Sequence, residues 1–145
     1  MKDKVQEQLA AARRDQILDA AAAVFAERGF HMTTIKDIAK AAEIADGTIY
    51  NYFANKTALL IGILERLQRA LQPDAADLPP PDADLREALR AYLSYPLKAL
   101  HEDHFALFRV VMSEIMVNDD LRQAYRERIL AEWTKRYDGK SAPKK

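Results

Sequence analysis

The chain has 145 residues, 22 Lys and Arg against 22 Asp and Glu, and no cysteine. Its length fits one domain, or a small domain joined to a second helical layer. The missing cysteines exclude a disulfide scaffold, a thiol nucleophile and cysteine-ligated zinc, and they fit a reducing cytoplasm.

Alanine and leucine are abundant, glycine is scarce and β-branched runs are absent, so an all-α fold is expected. No apolar run approaches the ~20 residues that cross a bilayer. The opening MKDKVQEQ is too charged for a signal peptide. The first helix is expected from about Val5 to Arg28, with Ile17, Ala21, Val24 and Phe25 as its apolar stripe and Leu18 broadening it. Gly29 tolerates positive φ and stops it. Thr33 or Thr34 caps a second helix, with Asp37 in its first turn and Ile35, Ile38, Ala39 and Ala42 on its buried face. The turn is Glu43-Ile44-Ala45. Asp46 is expected to cap a third helix, Gly47 to Phe53, in which Ile49 and Phe53 point inward. Asn55 caps a fourth, about Lys56 to Leu71, with the stripe Leu59, Leu60, Ile63, Leu64 and Leu67.

Pro73 to Asp84 (PDAADLPPPDAD) reads as a linker. Asp84 and Glu87 resemble a capping box for a fifth helix, about Leu85 to Leu100, which Pro96 is expected to kink or break. A sixth helix is expected from Asp103, its cap, to Met116. Asn118-Asp119-Asp120 then starts a seventh, about Leu121 to Tyr137, and SAPKK reads as an unstructured end.

A helix, a tight turn and a short helix with Thr48, Tyr50, Asn51 and Tyr52 on one side and Ile49 and Phe53 on the other suit docking into a groove. The first sixty or so residues resemble the DNA-binding domain of the TetR (tetracycline-repressor) family of bacterial transcriptional regulators. The resemblance is carried by Ile17-Leu18-Asp19-Ala20-Ala21, Phe25, Arg28-Gly29-Phe30, Thr33-Thr34-Ile35, Ile38-Ala39, Gly47-Thr48-Ile49-Tyr50-Asn51-Tyr52-Phe53, Asn55-Lys56 and Leu59-Leu60. It implies a helix-turn-helix domain at residues 1–55, a helical effector-binding half at 56–137 and a tail at 138–145. It also implies a cytoplasmic, homodimeric repressor of operator DNA, released by a small, apolar effector. There are three departures. Glu43 stands where Gly is usual, Ala45 stands where Ser is common, and two long C-terminal helices of the usual dimer are not represented, which makes the regulatory half short.

By the same resemblance, the DNA-contact set is Thr34, Lys36, Gly47, Thr48, Tyr50, Asn51, Tyr52 and Lys56. Hydroxyls, amides and ammonium groups suit phosphates, Tyr50 suits a thymine methyl, and Asn51 suits a base edge or phosphate. Zero net charge argues mildly against this set, because Lys and Arg supply much of the affinity for phosphate. Acidic Asp37, Glu43 and Asp46 also dilute Lys36, Lys40 and Lys56. The alternative is a helical protein-interaction module.

An effector cavity would draw on Tyr92, Tyr95, His104, Phe105, Phe108, Met112, Met116 and Trp133, whose large soft side chains suit an apolar guest. Helical spacing alone makes many of them ordinary core. His101-Glu102-Asp103-His104 matches no established zinc spacing and reads as a capped turn. Arg13 and Arg14 on the first helix read as a solvated helix start rather than a minor-groove arm. No catalytic residues, metal or cofactor are expected, and the chain is not read as an enzyme.

Overall fold

The computed structural model describes residues 1–70, 79–101 and 105–131, and every element among them is helical. They are α1 (Lys2–Arg28), α2 (Ile35–Ala42), α3 (Asp46–Tyr50), α4 (Lys56–Ala70), α5 (Leu85–His101), α6 (Phe105–Val117) and α7 (Asp119–Ala124). A π-helical segment, Tyr125–Leu130, continues α7.

The expected stripe of α1 is the buried one: Ile17, Leu18, Ala21, Val24 and Phe25. Residues 2–16 of the same helix stand exposed. At its end Gly29 takes φ 82° and donates its N–H to the Phe25 carbonyl at 2.8 Å. This is the positive φ that glycine adopts without steric cost.

Thr34, not Thr33, caps α2. Its hydroxyl accepts the Asp37 amide at 3.1 Å, and the Asp37 carboxylate accepts the Thr34 amide at 2.9 Å. This reciprocal box satisfies two amides that a helix start leaves without partners. Thr33 is buried and donates its hydroxyl to the Gly29 carbonyl at 2.6 Å. Two Thr in a row thus divide the work of closing α1 and opening α2.

Glu43 lies in the left-handed region, φ 57° and ψ 42°. Its amide donates to Lys40 and that of Ile44 to Ala39, at 3.2 and 3.0 Å. This pattern closes a helix on a residue that is usually Gly, and a side chain there costs about 1–2 kcal/mol. Ile44 follows, half-buried against the core, as the expected plug.

Three expectations are corrected. Asp46 is not the cap of α3. The N-cap position is Ala45, with extended backbone and no side-chain cap bond, and Asp46 is the first helical residue. The third helix is also shorter than expected, since residues 51 and 52 form a turn. Pro96 does not end its helix, because α5 runs on to His101. An interior proline forfeits one main-chain bond and costs about 3 kcal/mol, which the rest of a 17-residue helix can carry.

Asn55 caps α4 as expected, its side-chain oxygen accepting the Ala58 amide at 2.8 Å. Asp84 does the same for the Glu87 amide at 2.8 Å. Asn118 caps α7 through the Leu121 amide at 3.1 Å. The expected cap of α6, Asp103, lies outside the described residues, as do the first half of the expected linker and the C-terminal part of the seventh helix.

One apolar cluster holds the chain together. It runs from Ile17, Leu18 and Phe25 of α1 through Ile38, Ile49 and Phe53 to Leu59, Leu60 and Ile63 of α4, and on to Leu107, Val111 and Leu121. Gly62 brings α4 close to its neighbours: a Cβ there would lie 3.0 Å from Leu18 Cδ2 and 3.2 Å from Phe53 Cε1. Leu85, Leu89, Leu93 and Leu97, at four-residue spacing on α5, are all at least half exposed.

Candidate nucleic-acid interface

The core determines what the helix-turn-helix can present. Ile38, Ala39 and Ala42 of α2, Ile49 of α3 and Phe53 just beyond it are buried. Helical geometry then turns the side chains between them outward. Thr34, Lys36, Gly47, Tyr50 and Asn51 are exposed, while Thr48, Tyr52 and Lys56 are half-buried. Tyr50 has 56 % of its surface free, an unusual exposure for a large ring. Tyr52 leans against the core instead.

The mount of these groups is rigid. Asp37 closes the capping box and also meets Arg28 at 3.2 Å, which ties the end of α1 to the start of α2. The Thr34 hydrogen bonds, with the Arg28 charge beside them, hold the Asp37 carboxyl below its usual range. Phe53 is gripped between the close-packed Gly62 and the guanidinium of Arg14, 4.5 Å above its ring. Arg14 thus packs on the domain's own aromatic ring. Gln16 donates to the Ala42 carbonyl at 2.9 Å, fixing α1 to the end of α2.

Gly47 has no protein atom within 4 Å of where a Cβ would stand. The only positive-φ residues among those described are Gly29 and Glu43, so Gly47 is required neither by packing nor by backbone conformation. The open space around it faces outward, where a partner's backbone can approach.

Lys56 is placed differently from the sequence expectation. Its ammonium donates to the Phe30 carbonyl at 3.0 Å and sits 4.7 Å above the Phe30 ring. It braces the start of α4 against the loop after α1, which leaves its remaining N–H groups for a phosphate. A hollow of about 530 Å³ runs beside it, bordered by His31, Ile35, Tyr50 and Asn55.

The expected effector residues are less well placed. Phe108 is exposed on α6, Met112 is half-buried against the core, and Met116 is exposed. Tyr92 and Tyr95 belong to α5 and Phe105 opens α6, but their side chains fall outside the described set. His104 and Trp133 lie outside the described residues, and so does most of the His101–His104 turn. Among the described residues no cluster of His, Asp and Glu could hold a metal, and no helix is long and apolar enough to cross a membrane. Sequence reasoning missed Gly62, His31 and Glu114. The signals were a glycine inside an apolar helical stripe, and a carboxylate in register with Leu107 and Val111.

A buried three-helix support and an exposed polar surface on its last two helices define a helix-turn-helix domain, an architecture suited to docking in a groove. Residues 17–63 match the family model described as bacterial regulatory proteins, tetR family, and the chain carries that family's DNA-binding domain. It is 35 % identical over 113 residues to the fatty acid metabolism regulator protein of Bacillus subtilis, covering 77 % of this chain and 58 % of that protein. It is 35 % identical over 95 residues to the transcriptional repressor KstR2 of Rhodococcus jostii, covering 66 % of this chain and 47 % of the relative. The chain thus spans about half the length of these relatives. The solved structure of the transcriptional regulator FadR from Bacillus subtilis in complex with stearoyl-CoA superposes with a TM-score of 0.69 at 34 % identity, over 86 % of this chain and 66 % of that one.

Proposed function

We propose that this chain is a TetR-type transcriptional repressor that binds operator DNA as a dimer in the bacterial cytoplasm and is released by a small-molecule effector with a large apolar part. The observation that carries the reading is the division of residues 33–56. Ile38, Ile49 and Phe53 are consumed by the core, while Thr34, Lys36, Gly47, Tyr50 and Asn51 are left on the surface. Residues 1–55 form the reading unit and 56–137 the sensing unit in this account, and no catalytic role is assigned.

In the mechanism, α3 enters the major groove. Tyr50 presses on a thymine methyl, and Asn51 bonds a base edge or phosphate. Thr34 and the first amides of α2 hold a phosphate. Thr48, Tyr52, Lys36 and Lys56 add backbone contacts. Two chains place their α3 helices about 34–36 Å apart, the repeat of B-form DNA, so a small change in that separation prevents paired docking. The relative solved with stearoyl-CoA supports an acyl-CoA as the effector class.

The test is a duplex selected from a random library and titrated over a salt series. With Lys36 and Lys56 on phosphates, log affinity should fall with a slope of about −2 per chain, roughly −4 for a pair. Stearoyl-CoA should weaken the complex. Binding without any salt slope overturns the DNA reading, and binding unmoved by stearoyl-CoA overturns the effector class alone.

A further inference from the structure

The buried stripe of α6 contains a carboxylate. Glu114 is 4 % exposed, on the same helix face as Leu107 and Val111. One oxygen lies 2.6 Å from His31 Nε2, and the other is buried without a hydrogen-bond partner. Desolvating a carboxylate for a single partner is unfavourable, and an apolar side chain of the same size would pack there without that cost. The partner offers little stability in return, because the His31 side chain is 75 % exposed. The pair therefore needs an explanation other than fold stability.

Its position supplies one. His31 follows Phe30, whose carbonyl accepts from Lys56. The next residue, Thr57, accepts from Asn118 Nδ2 at 3.3 Å, and the Asn118 amide donates to the Glu114 carbonyl at 2.7 Å. These contacts close into a ring: Glu114, His31, Phe30, Lys56, Thr57, Asn118 and back to Glu114. The ring ties one helix, α6, to both ends of the helix-turn-helix, just before the cap of α2 and just after α3. Its members His31 and Lys56 border the same hollow as Tyr50.

We propose that Glu114 is a positioning residue for DNA docking: through His31 it fixes the entry of the helix-turn-helix to α6, while Asn118 fixes the exit. The proposal rests on the reading that residues 33–56 bind DNA. It makes stability and binding diverge. Glu114→Met removes the orphaned carboxylate, keeps the volume, and leaves His31 in solvent.

The test measures thermal melting and affinity for a selected duplex by fluorescence anisotropy, for the full chain and its variants. Glu114→Met should melt no lower than the parent yet bind about tenfold more weakly, within the range of ordinary coupling effects. His31→Ala should match that loss, and the double variant should be no worse than either single one. Glu114→Gln still accepts a hydrogen bond from His31 and should retain most of the affinity. Unchanged affinity in Glu114→Met, or affinity and melting temperature falling together, would overturn the proposal. A parent chain that selects no duplex would instead sink the DNA reading, and the proposal with it.

Discussion

Replacing Gly47 by Ala separates what the fold needs from what DNA docking needs. Gly47 is the second residue of α3, its φ is not positive, and no atom lies within 4 Å of the added methyl. Inside the protein the substitution should only help. A helical Ala is better than Gly by about 0.5–1 kcal/mol. For a domain of this size that raises the melting temperature by roughly 1–4 °C. At the proposed interface the same methyl occupies the space through which the α3 backbone meets the groove. The affinity cost should match the loss of a good base contact, about 1–3 kcal/mol or roughly 5–150-fold. Calorimetry reads the first effect, and an anisotropy titration against a selected duplex reads the second. Unaltered affinity would show that no partner approaches Gly47. A lowered melting temperature would show an internal demand for glycine at that position.

Three further outcomes are expected. Ala45→Ser supplies the side-chain cap that α3 lacks and should stabilise the fold by about 0.5–1 kcal/mol, read from the urea midpoint. Gly62→Ala, the opposite of Gly47→Ala, should destabilise by about 1 kcal/mol net. The crowding against Leu18 and Phe53 outweighs the gain in helix propensity, and a chemical melt no worse than the parent's would refute it. Asp37 has a folded pKa below its ordinary value of 3.8, so its contribution is complete above that value and is lost as pH falls through the folded one. The stability difference between the parent and Asp37→Asn should therefore be constant near neutrality and shrink below about pH 4, as followed by urea melts across that range.

What could be read from the sequence followed the range of the forces involved. Helical periodicity placed α1, α2 and α4 because their cores repeat every three or four residues. The Thr34–Asp37 box was visible because its partners are three apart. Asp46 misled because a polar residue before a helix usually caps it, yet the backbone of Ala45 already had the required extended geometry. The break expected at Pro96 is absent because a local penalty was weighed without the helix that absorbs it. For the site, the inward and outward sets of α3 were readable, since burial of Ile49 and Phe53 dictates which way Tyr50 and Asn51 face. Lys56 was read only as a cation for phosphate. Its bond to Phe30 joins the two ends of the helix-turn-helix, and no local pattern encodes it. The carboxylate of Glu114 stood in an apolar register, but His31, far upstream, was its missing half.

With 22 cations against 22 anions, what matters for a polyanion is how many cations the fold leaves free. Arg28 is spent on Asp37, Arg14 on the Phe53 ring, Arg66 on Asp19 at 2.7 Å, and Lys56 partly on the Phe30 carbonyl. These groups act as struts that orient helices. Attraction to phosphate then falls to exposed Lys36 and Lys40 and to helix starts. The first-turn amides of α2 and α3 carry partial positive charge that no count of Lys and Arg records. Ala45 gives α3 no side-chain cap, and although the Thr48 amide bonds the Ala45 carbonyl at 3.0 Å, the amides of Asp46 and Gly47 face no capping side chain. Under the proposed function a chain with no net charge therefore docks on a polyanion through oriented dipoles, few cations and an exposed tyrosine. Its affinity depends more on how firmly α2 and α3 are held than on bulk charge.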